Sequence, residues 1–337
     1  MIRVATIQDR DLDKASTLRG RLAPSPTGAL HLGNARSFLI AWLSLRSRGG
    51  EVVLRMEDLD HPKVKQGAAK QAMDDLSWLG LDWDEGPDCG GSFAPYIQSQ
   101  RIDLYNEALD ILKQSGCVYP CVCSRSDVEA AQSAPHAGED GLRYNGRCRD
   151  RFSSYDEATS FLPDDRLPAW RFKVPEKSVV CFEDGFCGRQ TQDVSEAVGD
   201  FTIARHPAGA GYMLAVVVDD ATMGITEVIR GDDLLPTTAR QILLYRALGL
   251  TPPAFIHVPL VVGPDGRRLA KRHGDTRIAS LREQGVAPDE IVGLLAAWCG
   301  WAQTGERVMP DDLIRRFDWN TMPHQAVVWK GDGLISR

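Results

Sequence analysis

The sequence predicts an α/β fold: a doubly wound, mostly parallel sheet with an inserted module and a short helical C-terminal region. Strands and helices alternate before residue 117 and again after residue 206, whereas cysteines, arginines and irregular segments interrupt that alternation in between. The 337 residues also exceed one ordinary domain. We expect, in order, a disordered tail at 1–17, the first half of the sheet domain at 18–116, the inserted module at 117–206, the second half of the sheet domain at 207–262, and a loop with a helical remainder at 263–337.

The first half of the sheet domain begins with a strand, a turn and a helix. Leu18–Ala23 has the composition of a short buried strand, and the prolines of Pro24–Gly28 exclude a helix there. Apolar residues over Ala35–Leu43 recur at the spacing of one helix face. Glu51–Met56 is predicted as the next strand and Ala69–Leu79 as a second amphipathic helix. This order of elements is typical of a doubly wound fold.

The second half of the sheet domain repeats the alternation. The apolar run Leu214–Val218 predicts a buried strand, and Val228–Arg230 predicts another. Thr237–Leu248 has helical periodicity, and Ile256–Val262 is a further predicted strand. A basic loop at Asp265–Thr276 then leads into helices. Because ligands of such folds bind outside the carboxyl ends of the strands, we expect the functional residues at that edge.

Charge and composition limit the kinds of partner. Hydrophobic residues make up 43% and charged residues 25% of the chain, which are globular proportions. A net charge of −7 argues against a surface built for bulk nucleic acid, although a local basic face can still bind RNA. Two basic clusters could form such a face, or could be solvated loops. They are Arg143, Arg147, Arg149 and Arg151, and then Arg267, Arg268, Lys271, Arg272 and Arg277.

The sequence shows neither a membrane segment nor a targeting segment. The longest apolar run, around Ala215–Val218, stops at Asp219 and is too short to cross a bilayer. Residues 1–17 contain aspartates and lack an apolar core, so they do not resemble a signal or transit peptide. We therefore expect a cytoplasmic, monomeric protein with reduced cysteines that contacts neither membranes nor DNA.

Arg21–Asn34, with the sequence RLAPSPTGALHLGN, carries the most informative pattern. A strand ends, the chain turns at the prolines, and a helix begins just after His31. The start of a helix offers unpaired N–H groups and a positive dipole end, which suit the phosphates of a nucleotide. Gly33 would permit close backbone approach, and His31 could donate to a phosphate oxygen. An ordinary proline-rich turn with a capping histidine explains the same residues if the pattern stands alone.

This segment resembles the HIGH signature of the class I aminoacyl-tRNA synthetases, in the form found in their glutamyl and glutaminyl branch. The resemblance continues from Arg21 to about Pro264 and implies a Rossmann-like catalytic domain that uses ATP and Mg²⁺. The later matching segments are Val53–Asp60 (VLRMEDLD), Tyr212–Asp220 (YMLAVVVDD, matched to a strand), Glu227–Thr238 (EVIRGDDLLPTT) and Gly263–Arg272 (GPDGRRLAKR, at the position of the KMSKS loop).

The resemblance implies a glutamate pocket beside an ATP site. Arg230, helped by Arg21 and the Tyr212 hydroxyl, would hold the side-chain carboxylate of glutamate, and Glu57 would take its ammonium group. Considered separately, Arg230 and Glu57 could equally belong to surface ion pairs. The implied glutamate-binding residues are Arg21, Ala23, Ser25, Glu57, Tyr212 and Arg230. The implied ATP-binding residues are Thr27, His31, Gly33, Asn34 and Lys271, of which His31 and Lys271 are expected to be catalytic.

The chain departs from the family pattern at two places. In the KMSKS-like loop, Ala270 replaces a serine and Arg268 begins the motif, whereas Lys271 is present to stabilise charge on the phosphates. We expect a slower or differently tuned activation step there. Val216 stands where discriminating glutamyl-tRNA synthetases carry asparagine, which argues against an ordinary glutamyl-tRNA synthetase.

The predicted inserted module contains a candidate zinc site. Without an export signal, clustered cysteines favour a metal over disulfides. Cys121-x-Cys123 and Tyr144-x-x-x-Cys148 resemble the site of a short paralogue of glutamyl-tRNA synthetase, and this implies one structural zinc with four protein ligands. Alternatively, the cysteines are structural and bind no metal. The rival fourth ligands are Cys117 and His136.

Length and local sequence favour the same paralogue. About 60 residues follow Thr276, fewer than the anticodon-reading domains of an ordinary glutamyl-tRNA synthetase need. The resemblance implies activation of L-glutamate without tRNA and transfer to queuosine at the wobble position of tRNA(Asp). A truncated conventional synthetase that charges the tRNA 3′ end and a non-catalytic tRNA-binding relative remain as alternatives. The segments similar to the paralogue are Glu57–Pro62, Arg143–Arg149 and Ala215–Asp220.

Overall fold

The computed structural model describes residues 17–26, 28–59, 64–131, 143–163, 165–206, 209–269 and 274–331. The strands are β1 (Arg19–Leu22), β2 (Glu51–Leu54), β3 (Val118–Cys121), β4 (Ala169–Phe172), β5 (Val179–Asp184), β6 (Gly188–Asp193), β7 (Phe201–His206), β8 (Gly209–Ala210), β9 (Glu227–Gly231), β10 (Ala254–Val258), β11 (Val261–Val262) and β12 (Val327–Val328). The α-helices are α1 (Leu32–Arg46), α2 (Ala68–Trp78), α3 (Ile102–Gln114), α4 (Arg125–Ala131), α5 (Tyr155–Thr159), α6 (Val194–Ala197), α7 (Tyr212–Thr222), α8 (Leu235–Ala247), α9 (Ile278–Glu283), α10 (Pro288–Ala297) and α11 (Pro310–Leu313). Short 3-10 helices lie at Gln98–Gln100, Asp232–Leu234 and Trp319–Thr321.

The main sheet has six strands in the order β2-β1-β9-β10-β5-β6. Neighbouring strands from β2 to β5 run parallel, and β6 pairs antiparallel with β5. Strand β1 lies between β2 from the first half of the chain and β9 from the second half, so the strand order changes direction there. Such a switch point leaves a crevice at the carboxyl ends of the strands. The predicted α/β fold with a predominantly parallel sheet is confirmed.

Alternate residues of strands in the main sheet pack into two different cores. On β2, Val52 and Leu54 belong to one core and Val53 to the other. On β10, Ile256 and Phe255 divide between the same two cores. Because successive side chains of a strand point to opposite faces, the two cores cover the two faces of the sheet. Both faces are therefore buried, as a doubly wound fold requires.

The predicted strand at Leu214–Val218 is wrong, because these residues lie within helix α7. Every residue from Leu214 to Asp220 is buried, so no polar stripe reveals the helical period. An apolar run that is buried on all sides does not distinguish a strand from a helix by periodicity.

Strands of the segment 117–206 join two different sheets. Strands β3, β4 and β7, together with β8, form a four-stranded antiparallel sheet in the order β3-β4-β7-β8. Strands β5 and β6 instead extend the main sheet, where Asp184 of β5 pairs in parallel register with Phe255 of β10. The segment predicted as an inserted module therefore supplies Asp184 to the domain that carries the crevice.

The residues after the KMSKS-like loop pack against the first core. Leu295 of α10 and Trp301 belong to the same buried cluster as Leu39 of α1. The backbone N–H of Leu32 donates to the carbonyl of Thr276 at 3.0 Å, so the chain returns beside the start of α1. None of the helices described here has both the length and the apolar character that crossing a membrane demands.

Candidate active site

A cavity of about 470 Å³ opens at the carboxyl ends of β1 and β9. The turn after β1, the start of α1 and the start of α7 form much of its wall. Two of the predicted site residues, Thr27 and Lys271, lie outside the described residues. The other nine all line this one cavity: Arg21, Ala23, Ser25, His31, Gly33, Asn34, Glu57, Tyr212 and Arg230.

His31 is the N-cap of helix α1. Its Nδ1 accepts hydrogen bonds from the backbone N–H groups of Gly33 at 3.1 Å and Asn34 at 3.4 Å, which a helix start otherwise leaves unpaired. Burial, with a smaller contribution from the Arg268 cation, lowers the pKa of His31 to about 4, so the ring is neutral at pH 7. A neutral ring that accepts at Nδ1 carries its proton on Nε2. The capping role and a donor role in the cavity are therefore compatible, because each uses a different nitrogen.

Arg230 lies in β9 and is only 6% exposed. Its Nε donates to His257 at 2.9 Å, and its Nη2 donates to Thr238 at 2.9 Å and to Gln241 at 2.8 Å. Its Nη1 is buried and has no partner among the described residues. Because Nη1 carries two hydrogens, the guanidinium retains two donors for a ligand, and a carboxylate is the acceptor that best matches them.

Glu57 belongs to a buried ionic network beside the cavity. Arg55 is fully buried and contacts Glu57 at 2.9 Å, Asp220 at 2.7 Å and Asp219 at 3.8 Å. Arg21 lies 3.5 Å from the same oxygen of Asp220. Burial raises the pKa of Glu57, and the neighbouring guanidinium groups of Arg55 and Arg21 oppose that rise. Since an unpaired buried charge is very costly, these partners explain how so many charges remain in the core.

The sequence analysis did not identify the role of Arg55, and it interpreted Asp219 and Asp220 only as the end of an apolar run. A signal was present: Asp219 and Asp220 follow an apolar run that must be buried, so each needs a cationic partner. Arg55 lies in a predicted buried strand, and its charge needs a partner as well. These requirements indicate that each residue needs a buried partner of opposite charge, but not which residue that partner is.

Two charged residues that the sequence prediction did not assign to the pocket also line the cavity. They are Asp233 and Arg268, and Arg268 Nη1 lies 2.8 Å from Asp233 Oδ2. Arg268 belongs to the KMSKS-like loop, so this ion pair joins the loop to the residues that follow β9. Their signal in the sequence was their position inside the motif segments Glu227–Thr238 and Gly263–Arg272.

The four predicted zinc ligands lie together. The Sγ atoms of Cys121, Cys123 and Cys148 are all within 4.8 Å of one another. Tyr144 Oη is 3.4 Å from Cys121 Sγ and 3.7 Å from Cys123 Sγ, and the Sγ atoms of Cys123 and Cys148 are 3.5 Å apart. Zinc–sulfur bonds of about 2.3 Å in a tetrahedral site would separate neighbouring sulfurs by about 3.8 Å. The donor set is therefore compatible with zinc.

Positive charge and N–H donors surround this cluster. The backbone N–H of Cys148 donates to Tyr144 Oη at 2.8 Å. Arg171 Nε donates to Cys121 Sγ at 3.1 Å, and its guanidinium lies 3.8 Å from the centre of the Tyr144 ring. A hydrogen bond from Cys121 lowers the pKa of the Cys148 thiol to about 4 against the opposing effect of burial. The pKa of Cys121 is instead raised by its hydrogen bond with Cys148, and burial raises the pKa of Cys123 and of Tyr144, so among the four groups the surroundings favour the anion at Cys148. A bound cation would favour the anionic form of the other three, the form in which such groups bind metals.

The rival fourth ligand Cys117 does not belong to this cluster. Its thiol lies 3.9 Å from the carbonyl oxygen of Ser115 instead. The other rival, His136, lies outside the described residues. Within the described residues, Tyr144 is the predicted fourth ligand that the fold brings to the three sulfurs.

The first basic cluster borders a second cavity of about 470 Å³, whose lining also includes Tyr144. Arg143 and Arg149 line this cavity. Arg149 Nη2 donates to the carbonyl of Val174 at 2.9 Å, whereas Arg147 and Arg151 are exposed. In the second basic cluster, Lys271 and Arg272 lie outside the described residues.

Comparison with known proteins places the chain in a family. Residues 17–334 match the family described as "tRNA synthetases class I (E and Q), catalytic domain". The chain is 49% identical to the glutamyl-Q tRNA(Asp) synthetase of Symbiobacterium thermophilum, over 92% of this chain and 95% of that protein. It is 45% identical to the glutamyl-Q tRNA(Asp) synthetase of Nitratidesulfovibrio vulgaris, over 94% of this chain and 97% of that protein. The crystal structure of glutamate-tRNA synthetase from Elizabethkingia anophelis is similar with a TM-score of 0.79 and 30% identity, over 94% of this chain and 68% of that chain. The chain therefore belongs to the class I glutamyl and glutaminyl tRNA synthetase family, within its glutamyl-Q tRNA(Asp) synthetase branch.

Proposed function

We propose that this protein is a ligase that activates L-glutamate with ATP, without needing tRNA, and transfers it to queuosine at the wobble position of tRNA(Asp). The observation that carries the first half of this proposal is the Arg230 guanidinium, whose Nη1 is buried without a partner among the described residues. It lines the same cavity as His31 and the start of α1. An anion-binding group and a nucleotide-binding helix start therefore face one space.

In the activation step, an oxygen of the α-carboxylate of glutamate attacks the α-phosphorus of ATP, and pyrophosphate leaves. Arg230, Arg21 and the hydroxyl of Tyr212 hold the side-chain carboxylate, and Glu57 holds the ammonium group. Ala23 and Ser25, in the turn after β1, complete the glutamate pocket. These roles are supported by their common cavity and by the charge of each group.

The phosphates lie at the start of α1 in this proposal. His31 Nε2–H donates to a phosphate oxygen at the positive end of the helix dipole, and Thr27, Gly33 and Asn34 surround the nucleotide. Lys271 stabilises the charge that develops as pyrophosphate leaves. Described residues on both sides of Lys271 lie near the start of α1, since Arg268 lines the cavity and the Thr276 carbonyl accepts from Leu32 N–H. Magnesium offsets the charge of the triphosphate.

In the transfer step, a hydroxyl of the queuosine diol attacks the carbonyl carbon of glutamyl-adenylate, and AMP leaves. Nucleotides of a single-stranded loop can be splayed into a pocket, which suits recognition of an anticodon base. The basic residues near the second cavity, with Arg147 and Arg151 exposed, are suited to phosphates of the tRNA backbone. Zinc on Cys121, Cys123, Tyr144 and Cys148 would be structural, because four protein ligands leave no open position for a reactive water.

End-to-end similarity favours queuosine over the tRNA 3′ end as the acceptor. The chain covers 95% and 97% of the two glutamyl-Q tRNA(Asp) synthetases, but 68% of the glutamate-tRNA synthetase chain. The test uses labelled glutamate with tRNA(Asp) that contains or lacks queuosine, followed by nuclease digestion. We expect label only with the queuosine-containing tRNA, and on the wobble nucleoside. Label on the terminal adenosine would instead support a conventional glutamyl-tRNA synthetase.

A further inference from the structure

A second layer of buried residues holds the side chain of Arg230. His257, in β10, lies between Arg230 and Asp184: its Nε2 accepts from Arg230 Nε at 2.9 Å, and its Nδ1 lies 2.6 Å from Asp184 Oδ2. The side chains of His257 and Asp184 are both fully buried. None of the three residues is close to another in sequence, so only the sheet pairing of β5, β10 and β9 brings them together.

The hydrogen-bond pattern determines where the proton of His257 lies. Arginine Nε is always a donor, so the imidazole nitrogen that faces it must be an acceptor. The ring proton is therefore on Nδ1, where it is donated to the Asp184 carboxylate. Burial lowers the pKa of His257 despite the hydrogen bond to Asp184, which is consistent with a neutral ring. Asp184 thus selects one tautomer of His257.

Asp184 is itself fixed by the backbone. Its Oδ1 accepts from the N–H groups of Phe186 at 3.0 Å, Cys187 at 2.8 Å and His257 at 3.1 Å. These donors occupy one carboxylate oxygen and leave Oδ2 for the imidazole. The donor and the acceptor are therefore determined for each hydrogen bond from the backbone through Asp184 and His257 to Arg230.

This arrangement holds Arg230 without neutralising it. A carboxylate placed directly on the guanidinium would compete with a carboxylate ligand for the same N–H donors. The neutral ring of His257 instead occupies only Nε, and the oxygens of Thr238 and Gln241 occupy Nη2. The two hydrogens of Nη1 remain, in a plane that the other three hydrogen bonds fix.

We infer that Asp184 and His257 are positioning residues that orient the Arg230 guanidinium for the side-chain carboxylate of glutamate, and so determine glutamate affinity and the preference for glutamate over glutamine. This inference rests on the proposed function, because it assumes that Arg230 binds that carboxylate. It assigns a role in amino-acid recognition to Asp184, which the segment 117–206 supplies.

Substitutions can separate positioning from simple packing. His257→Phe removes the acceptor of Arg230 Nε. Asp184→Asn keeps the shape of the side chain but replaces one oxygen by an NH₂ group. If that NH₂ group faces the three backbone N–H donors, donor meets donor. If it faces His257 Nδ1 instead, Nδ1 must accept, so the ring proton moves to Nε2 and faces the Nε–H of Arg230. His257→Gln keeps an acceptor near the position of Nε2. Cys181→Ser is the matched control, because Cys181 lies in the same strand as Asp184 but is exposed and its thiol contacts Thr191.

The assay is glutamate-dependent ATP–pyrophosphate exchange by the purified full chain. We expect His257→Phe and Asp184→Asn to raise the glutamate KM by about 10- to 100-fold, the scale of one lost hydrogen bond to a charged group, with the ATP KM unchanged. His257→Gln should recover most of the glutamate affinity, and Cys181→Ser should behave as wild type. Equal changes in both KM values, or no recovery in His257→Gln, would overturn the inference.

A spectroscopic measurement keeps this inference separate from the proposed function. The ¹⁵N shifts of the His257 ring report which nitrogen is protonated, whether or not the enzyme acts on glutamate. We expect a protonated Nδ1 and an unprotonated Nε2 in wild type, and the reverse tautomer in Asp184→Asn. A protonated Nε2 in wild type would overturn the inference. Absence of glutamate-dependent exchange in the wild type would refute the proposed function and, with it, the role assigned to Asp184 and His257.

Discussion

The Nδ1 atom of His31 lies 3.1 Å from the backbone nitrogen of Gly33, and a Cβ on Gly33 would lie 3.1 Å from Cε1 of the same ring. The two residues therefore constrain each other: a side chain at position 33 would press on the imidazole that caps the helix. The same hydrogen bond keeps the ring proton on Nε2. The local geometry of the helix start thus determines which histidine nitrogen can donate to a ligand.

Two substitutions of His31 should separate its structural and catalytic roles. Asparagine is among the best N-cap residues, so His31→Asn should leave the free energy of unfolding nearly unchanged, whereas His31→Ala should lower it by about 1 kcal/mol. Both variants lose the Nε2 donor, so both should lose about 10²-fold in the activation rate. Denaturant unfolding and ATP–pyrophosphate exchange measure the two effects. Wild-type exchange by His31→Asn would remove His31 from the catalytic residues.

The stability of the fold should depend on His31 below neutral pH. The pKa of His31 is about 4 in the folded protein and about 6.5 in the unfolded chain. Below pH 6.5 the unfolded chain therefore binds a proton that the folded protein does not, so the stabilising contribution is present above pH 6.5 and is lost as the pH falls towards 4. His31→Asn lacks this titration, so wild type should lose stability relative to this variant over that range. Urea unfolding of both proteins at several pH values would show it, and a difference that stays constant with pH would contradict it.

Substitution of Arg230 should affect glutamate binding, whereas substitution of Lys271 should affect the rate of activation. Lys271→Ala should lower the rate of activation by roughly 10²–10³-fold, the scale for losing one group that stabilises transition-state charge, with little change in glutamate affinity. Arg230→Ala should first raise the glutamate KM, because it removes the partner of the side-chain carboxylate. Steady-state exchange over a range of glutamate and ATP concentrations separates the two. The same glutamate-binding defect in both variants would contradict this division of roles.

Much of this site could be predicted from the sequence because its information is local. The turn after β1, the capping histidine and the glycine that follows it lie within Arg21–Asn34, so their spacing alone indicates a helix start. The Cys121-x-Cys123 and Tyr144-x-x-x-Cys148 spacings are each local as well, but it was the resemblance to the paralogue that implied that the fold brings the two pairs together.

The remaining features could not be predicted because they depend on long-range packing. The helix at Leu214–Val218 is buried on all sides, so its sequence has no polar face to reveal its period. Asp184 and His257 are 73 residues apart, and nothing in either local sequence indicates that β5 and β10 are neighbours. Arg55 and Asp220 form an ion pair across 165 residues for the same reason. The local sequence around a buried polar residue indicates that it needs a partner, but not which residue that partner is.

The choice of amino acid should be strict. A glutamine side chain would place an amide against the Nη1 donors of Arg230 and leave a buried charge without its partner. Sites built around such groups reject the wrong ligand by large factors, and we expect a preference for glutamate on the order of 10⁴-fold in kcat/KM. Aspartate is one methylene shorter and should also fail, because it cannot reach Arg230 while Glu57 holds its ammonium group. Exchange with each of the three amino acids tests this, and comparable rates with glutamine would exclude the assigned pocket.

The cluster of Cys121, Cys123, Tyr144 and Cys148 should hold about one zinc per chain. Cys148→Ser removes a thiolate and should abolish stoichiometric binding, whereas Tyr144→Phe keeps three sulfurs and should weaken it. Cys117→Ser is the matched control, since that thiol is not part of the cluster. The measurements are metal analysis of protein prepared without chelators and zinc release to a chromogenic chelator.

Loss of zinc should affect the segment 117–206 more than the catalytic cavity. Zinc binding and local folding are linked, and the ligands Cys121, Tyr144 and Cys148 lie in one small core cluster with Tyr119. Hydrogen exchange should therefore rise in strands β3 and β4 of the Cys148→Ser variant, while the amides of α1 and β9 keep their protection. Protein that is free of zinc but fully active, with unchanged exchange in β3, would show that the cysteines are structural without a metal. Full zinc content in Tyr144→Phe would instead assign the fourth ligand to another residue.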